Sequence, residues 1–445
     1  MRTTRLMLVL AAVLVLMMWR AAVPGGASQV GPEASEARGA LLQPGAIADR
    51  LVELKAAHTI AEGRRIFRRD TFGSEAFWGD TLRLHEALRT LTPAAALGAG
   101  LKIDVTALPP NLALQIRQGR VNLNDPAVTL TLLQLDAVVG VKGFFQGGTL
   151  SSVGLRCAFC HSTVDDSLVP GVGRRLDGWA NRTLNVGAII AMAPNLQPFV
   201  DLLGVDADTV RQVLNSWGPG KFDAELLLDG KAFRPDGRPA ATLIPPAFGL
   251  AGVNLHTWTG WGGVPHWNAL VANLEMGGRG TFFDPRLNDP VKFPIAAAAG
   301  FGDVRNDPDL VTSKLPALHL YQMALEAPEP PRGSYDRAAA QRGRQVFEGQ
   351  ARCARCHVPP LYTEPGWNMH TAAEIGIDDF QAMRSPDERY RTAPLKGLWT
   401  HQTGGFYHDG RFPTLRAVVD HYDSFMSLGL SEAQKRDLIE FLKSL

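Results

Sequence analysis

The 445-residue chain has four cysteines, and none stands outside two Cys-x-x-Cys-His units. Disulfide pairing, the common use of cysteine in an exported protein, would leave the two adjacent histidines unexplained. Net charge is nearly absent: 45 Lys and Arg against 44 Asp and Glu leave a formal +1. That balance removes the electrostatic case for nucleic acid or for a strongly anionic membrane surface. The apolar run from Leu6 to Trp19 falls short of the roughly 20 residues a membrane span needs. Glycine (45) and proline (30) are plentiful but lack the strict period of collagen, and indicate loops between helices. Histidine is missing altogether from residues 162–255. The length suggests two or three domains, and 45% hydrophobic residues leave enough apolar surface for their cores.

The start reads as an export signal: Met-Arg-Thr-Thr-Arg, a short apolar core, then small residues ending near Ala27. A retained anchor is the alternative, and only then would the protein contact a membrane. In either case the folded part is sent across the inner membrane, so the expected location is periplasmic. Residues 28–44 read as a tether.

The two cysteine units are Cys157-Ala-Phe-Cys160-His161 and Cys353-Ala-Arg-Cys356-His357. This spacing reads as attachment of c-type haem. Two thiols about one helical turn apart form thioethers with the two vinyl groups, and the imidazole that follows sits under the iron. Zinc binding and thiol redox chemistry compete with this reading. Thiol redox chemistry expects a βαβ context, and none is visible. Two such units in an exported chain with no other cysteine favour two covalently bound haems.

Helical patterning starts near Ile47, and a second pattern follows around Glu62-Gly63-Arg64-Arg65-Ile66-Phe67. The second is similar to Gly343-Arg344-Gln345-Val346-Phe347, which precedes Cys353 by a few residues. A duplicated module follows, whose first copy carries an insertion at about 72–150. Asp80–Arg89 has apolar residues at helical spacing, with His85 read as a core or surface residue. Residues 103–147 mix alternating apolar residues with Pro and Asn, which fits short strands or loops. Helices are expected at 207–217 and at 431–445, the latter capped by Ser431. The Pro-rich run 327–334 is the domain boundary. The expected fold is mainly α: two cytochrome c-like haem domains, 45–326 and 335–445, the first enlarged by the insertion.

Gly404-Gly-Phe-Tyr-His408-Asp409-Gly410-Arg411-Phe412-Pro-Thr-Leu415, followed by Val418-Val-Asp-His-Tyr422, resembles the C-terminal half of the bacterial dihaem cytochrome c peroxidase and MauG superfamily. With Gly343–His357 the resemblance covers most of 335–445. It implies a peroxidase-like oxidoreductase in which hydrogen peroxide reacts at one haem while the other, six-coordinate, relays electrons from a small redox protein or another donor. The family's sixth ligand to the second haem lies fourteen residues beyond the His of the His-Asp-Gly motif, at Tyr422. Tyr at this place is the MauG-like choice, where peroxidases have Met. His421 and Met426 are rivals. The resemblance also places His408 beside the second haem and offers Arg411 to a haem propionate.

Peroxidases of the family carry a distal His soon after the first haem motif. With no His in 162–255, the first iron face is expected to be open, or closed by His256 or His266. Trp258 matches the family's relay Trp, although Thr259 and Trp261 stand where the family has Asp and Arg. Glu275 falls near the family's acid–base Glu, which would make water the leaving group, and His266 is a second candidate. Asn185 and Thr403 lie at the offsets of a calcium site between the domains. Two other functions remain open: a non-catalytic dihaem electron carrier, and a dioxygenase similar to the rubber oxygenases.

Overall fold

The computed structural model describes residues 44–401 and 403–445. The segment read as an export signal, and residues 28–43 of the stretch read as a tether, lie outside the described residues. The chain divides into two compact units, Met1–His58 and Thr59–Leu445. Both Cys-x-x-Cys-His units lie in the second. The secondary structure is mainly helical, with two-stranded sheets between the helices. Among the described residues no helix is long and apolar enough to cross a membrane.

The two helical patterns expected near Ile47 and Glu62 are one helix, Pro44–Arg69. Gly63, which reads as punctuation between them, sits inside it. The reason is packing against the helix Leu315–Met323: a Cβ on Gly63 would lie 1.9 Å from the Ala317 carbonyl oxygen. One turn on, Phe67 meets Tyr321 edge-on, with ring centroids 5.6 Å apart. The second half repeats this crossing. Its helix Arg337–Glu348 packs on the last helix, Glu432–Lys443. A Cβ on Gly343 would lie 2.0 Å from the Asp437 carbonyl oxygen, and the Phe347 and Phe441 rings are 5.1 Å apart. The absent side chain lets two backbones approach, and an aromatic pair fills the space beyond the crossing.

Four short helices follow the first: Leu84–Thr90, Pro93–Gly98, Pro110–Arg117 and Pro126–Gln134. Thr92 and Asp125 cap two of them, each followed by Pro in the first turn. Strands are few in this region. Ile103–Asp104 pairs with Val172–Gly173, and an antiparallel hairpin joins Val141–Gln146 to Thr149–Leu155. The hairpin delivers the chain directly to Cys157. The expected helix at 207–217 is Ala207–Ser216, capped by Asp206. Ser431 caps the last helix in a reciprocal pair with Gln434.

Each half has its own apolar core. In the first, Ile66, Phe67, Leu318 and Tyr321 lie under the helix crossing, and a larger cluster runs from Trp78 to Ile244. In the second, Phe347, Val419, Leu438 and Phe441 form the centre. The halves meet through polar contacts. Arg384, with no exposed surface, binds Asp223 at 2.9 Å and Asp229 at 2.8 Å. Arg234 reaches Asp378 at 2.6 Å, and the Leu243 amide donates to the His408 carbonyl at 2.6 Å.

Candidate redox centres

The first unit begins at the end of the hairpin. Arg156 is buried and paired with Asp136 at 2.8 Å, which holds the strand end, and a single turn, Ala158–His161, follows. One turn places both thiols and the imidazole on a common cavity with about 1550 Å³ free of protein atoms. Burial pushes both thiols up to about 12 and the His161 imidazole down to about 4. His161 is therefore neutral at physiological pH, the form that binds a metal. Its Nδ1 has no hydrogen-bond partner among the described residues.

The second unit sits on a short turn, Cys353–Arg355. Cys353, Cys356 and His357 line another cavity, with about 1700 Å³ of free space. His357 Nδ1 lies 3.2 Å from the Tyr362 carbonyl, which orients the ring and leaves Nε2 for a metal. Burial pushes His357, too, down to about 4.

A common wall separates the cavities. Pro245, Pro246, Thr257, Trp258 and Arg391 line both. Trp258 is held by its Nε1, which donates to the Leu243 carbonyl at 2.7 Å, and its own carbonyl accepts from the Arg391 amide at 3.1 Å.

Glu275 faces the first cavity, together with His256 and Met276. Burial, helped by the negative charges of Glu225 and Asp223, pushes the Glu275 carboxyl up to about 8. His256 is pushed down to about 4 by burial and by Arg391. His266 lies elsewhere and is not part of the cavity lining. It packs edge-on against Trp261 and Trp267, with Nε2 3.7 Å from Asp284.

Tyr422 and Met426 line the second cavity. Burial holds the Tyr422 phenol above its ordinary value, and its ring lies 6.2 Å from that of Tyr407. His408 faces the same cavity, stacked on Tyr390 at 5.1 Å, with Nε2 unpartnered. His421 is turned away: its Nε2 is 3.0 Å from the Ile375 carbonyl. Arg411, offered to a propionate on sequence grounds, is instead chelated by Asp409 two residues before it, at 2.9 Å, and also binds Asp378.

Two other arginines, which the sequence did not single out, Arg182 buried and Arg391 half-buried, have no counter-ion among the described residues. Arg182 makes no side-chain hydrogen bond through Nε, Nη1 or Nη2, and burial pushes it down to about 10. Its charge also depresses His401, which lines the second cavity. Arg391, in the common wall, gives Nη1 to the Leu255 carbonyl, leaves Nε unpartnered, and is pushed down to about 10 by burial. A buried uncompensated cation costs several kcal/mol, so such a pair calls for an anion. Haem carries two carboxylates on one edge. Two half-buried thiols, a neutral imidazole and a large cavity at each unit, with Arg391 in the common wall, therefore fit the group.

Asn185 caps the helix Val186–Ala191, its Oδ1 accepting from the Ala188 amide at 3.1 Å. Thr403 is exposed. Among the described residues one group of three His, Cys, Asp or Glu side chains is close enough to share an ion: Cys356, Glu364 and His370. Neither Asn185 nor Thr403 belongs to it.

No family model matches the chain. Over 243 residues it is 28% identical to the methylamine utilization protein MauG of Methylorubrum extorquens, covering 46% of this chain and 65% of that protein. The chain thus spans just under two thirds of that relative's length. Two solved structures overlap with part of the fold. One is hydrazine synthase of Kuenenia stuttgartiensis pressurised with xenon (19% identity, 48% of this chain and 76% of that one, TM-score 0.28). The other is a MauG-like protein associated with microbial copper homeostasis (17% identity, 49% and 76%, TM-score 0.31). The sequence relationship to MauG is thus a similarity, at low identity, to the MauG and dihaem cytochrome c peroxidase superfamily.

Proposed function

We propose that the chain is an exported dihaem c-type oxidoreductase that reduces hydrogen peroxide at the Cys157/Cys160/His161 centre. Electrons from a small redox protein or another donor enter through the Cys353/Cys356/His357 centre. The observation that carries this reading is the common wall. Trp258 lines both Cys-x-x-Cys-His cavities, and Glu275, an acid kept protonated by burial, faces only the first of the two.

Haem bound at each unit supplies a redox-active iron. His161 and His357 would ligate it, and Tyr422 or Met426 would fill the far side of the second. On the first side His256 and Met276 are within the cavity. Reduction of peroxide consumes two protons and two electrons and yields two waters. Glu275 holds a proton on its carboxyl oxygen at neutral pH and gives it to the peroxide oxygen that departs as water. Glu225, also lining the first cavity, and Asp223 beside it are raised by burial, Asp223 to about 7. Their negative charges help to keep Glu275 protonated. Trp258, which lines both cavities, would offer electrons an aromatic ring in the wall between them. Arg391, which lines both cavities, would hold a haem carboxylate.

The test is the full chain, exported in cells able to attach haem. The reading expects two covalent haems per chain and peroxide turnover with a reduced donor. In Glu275→Gln, turnover would be about a hundredfold lower. Two haems with no turnover would leave an electron carrier, and fewer than two would remove the reading.

A further inference from the structure

A third large cavity lies apart from the common wall, inside the residues between 84 and 189, with about 1420 Å³ of free space. Its lining is aliphatic, supplied by the four short helices and the hairpin. Two lining residues carry polar side chains, Arg117 and Thr129.

The chamber has two distinguishable ends. Arg117, Gly119 and Leu123 line it and are exposed, so it reaches the surface at the segment after the helix Pro110–Arg117. Leu155 and Phe159 line it as well, and both also line the first Cys-x-x-Cys-His cavity. The chamber is therefore a passage from the surface to the wall of the first centre. At its mouth the Arg117 guanidinium makes no ion pair or hydrogen bond among the described residues. Inside, Thr129 is 5% exposed and its hydroxyl has no partner. Its neighbour on the same helix, Thr131, returns its hydroxyl to the Ala127 carbonyl at 2.9 Å, so the helix does not prevent satisfaction. A folded chain seldom leaves a buried hydroxyl unpaired.

We infer that this chamber binds a free long-chain carboxylate. The aliphatic tail lies among the leucines and points toward Phe159. The head group stays at the surface, paired with Arg117. Apolar enclosure supplies affinity, and one unpaired cation at the only charged position of the lining selects the sign of the head. The inference does not rest on the haem reading, because it concerns binding and uses no cysteine or histidine of either unit.

The experiment is equilibrium dialysis of radiolabelled dodecanoate, and separately of dodecanol, against the haem-loaded full chain. Dodecanoate is expected to bind saturably at one site per chain. Arg117→Ala, at an exposed position, is expected to weaken dodecanoate about tenfold, the scale of one charge-assisted hydrogen bond, and to leave dodecanol unchanged. Ala96→Trp, which puts an indole into the chamber, is expected to weaken binding of both. Its fold is checked by far-ultraviolet circular dichroism. Absence of saturable dodecanoate binding to the wild-type chain would overturn the inference. So would equal loss of acid and alcohol in Arg117→Ala, or undiminished binding in a folded Ala96→Trp.

Discussion

The two halves share a scaffold and differ in what faces their cavities. Each is held by a glycine that lets two helices touch, Gly63 on Ala317 and Gly343 on Asp437, with Phe67 or Phe347 packed beyond it. Each places Cys-x-x-Cys-His on a large cavity. There the likeness stops. The first cavity has Glu275 and Glu225, with Asp223 behind them. The second has Tyr422, Met426 and His408, and the acid that lines it, Glu374, is exposed. One helix crossing thus supports two chemistries, because the ligand-facing residues come from loops and helices outside it. An acid-lined cavity suits proton-coupled chemistry, whereas one walled by candidate ligands suits electron transfer.

The largest effect is expected where the second half neutralises the first. Arg384→Leu would leave Asp223 and Asp229 buried without a cation and cost about 3–5 kcal/mol in urea unfolding. A loss under about 1 kcal/mol would mean that the acids are not held in charged form, and the contrast between the cavities would weaken. Next come the crossings. Gly63→Val and Gly343→Val each push a side chain into a backbone carbonyl and should each cost about 3 kcal/mol. Markedly unequal losses would break the equivalence of the two scaffolds.

Glu275 sharpens the contrast through pH. Its folded value, about 8, lies above the ordinary glutamate value of 4.5. The fold therefore favours the protonated form. Stability associated with this group is fully present below about 4.5 and is lost as pH rises through about 8. Glu275→Gln should flatten this decline in thermal melts between pH 5 and 9. Wild-type peroxide turnover should fall as pH rises through about 8, and a profile flat across that range would remove Glu275 as the proton donor. The smallest change is expected from Tyr422→Phe: an altered low-spin spectrum with little loss of stability. An unaltered spectrum, with a change in Met426→Leu instead, would move the sixth ligand to Met426.

Much of the second half was legible because its signals are local. The haem unit, the Gly343–Phe347 run and the Ser431 cap each lie within a few residues. The first half hid more. Gly63 reads as a break because a helix-interior glycine is unfavourable, and only its packing against Ala317 explains it. Residues 84–134 became four short helices around a chamber, a form that leaves no single apolar stripe to read. At the site, Glu275 and Trp258 line cavities that hold the cysteine units. His266 did not, since Asp284 and two tryptophans hold it elsewhere. Arg411 was taken by Asp409, two residues away, a competition visible in the sequence. Arg182, Arg391 and Asp223 carried no signal: an arginine or aspartate is ordinarily at the surface, and burial through contacts between distant segments is not written locally.

The most direct test of the account is the haem content of the exported full chain together with the electron paramagnetic resonance spectrum of its ferric form. The account predicts two covalent haems per chain with two distinct signals. One signal should change in Tyr422→Phe and the other in Glu275→Gln. A single haem, or two haems with one common signal that neither substitution alters, would contradict it.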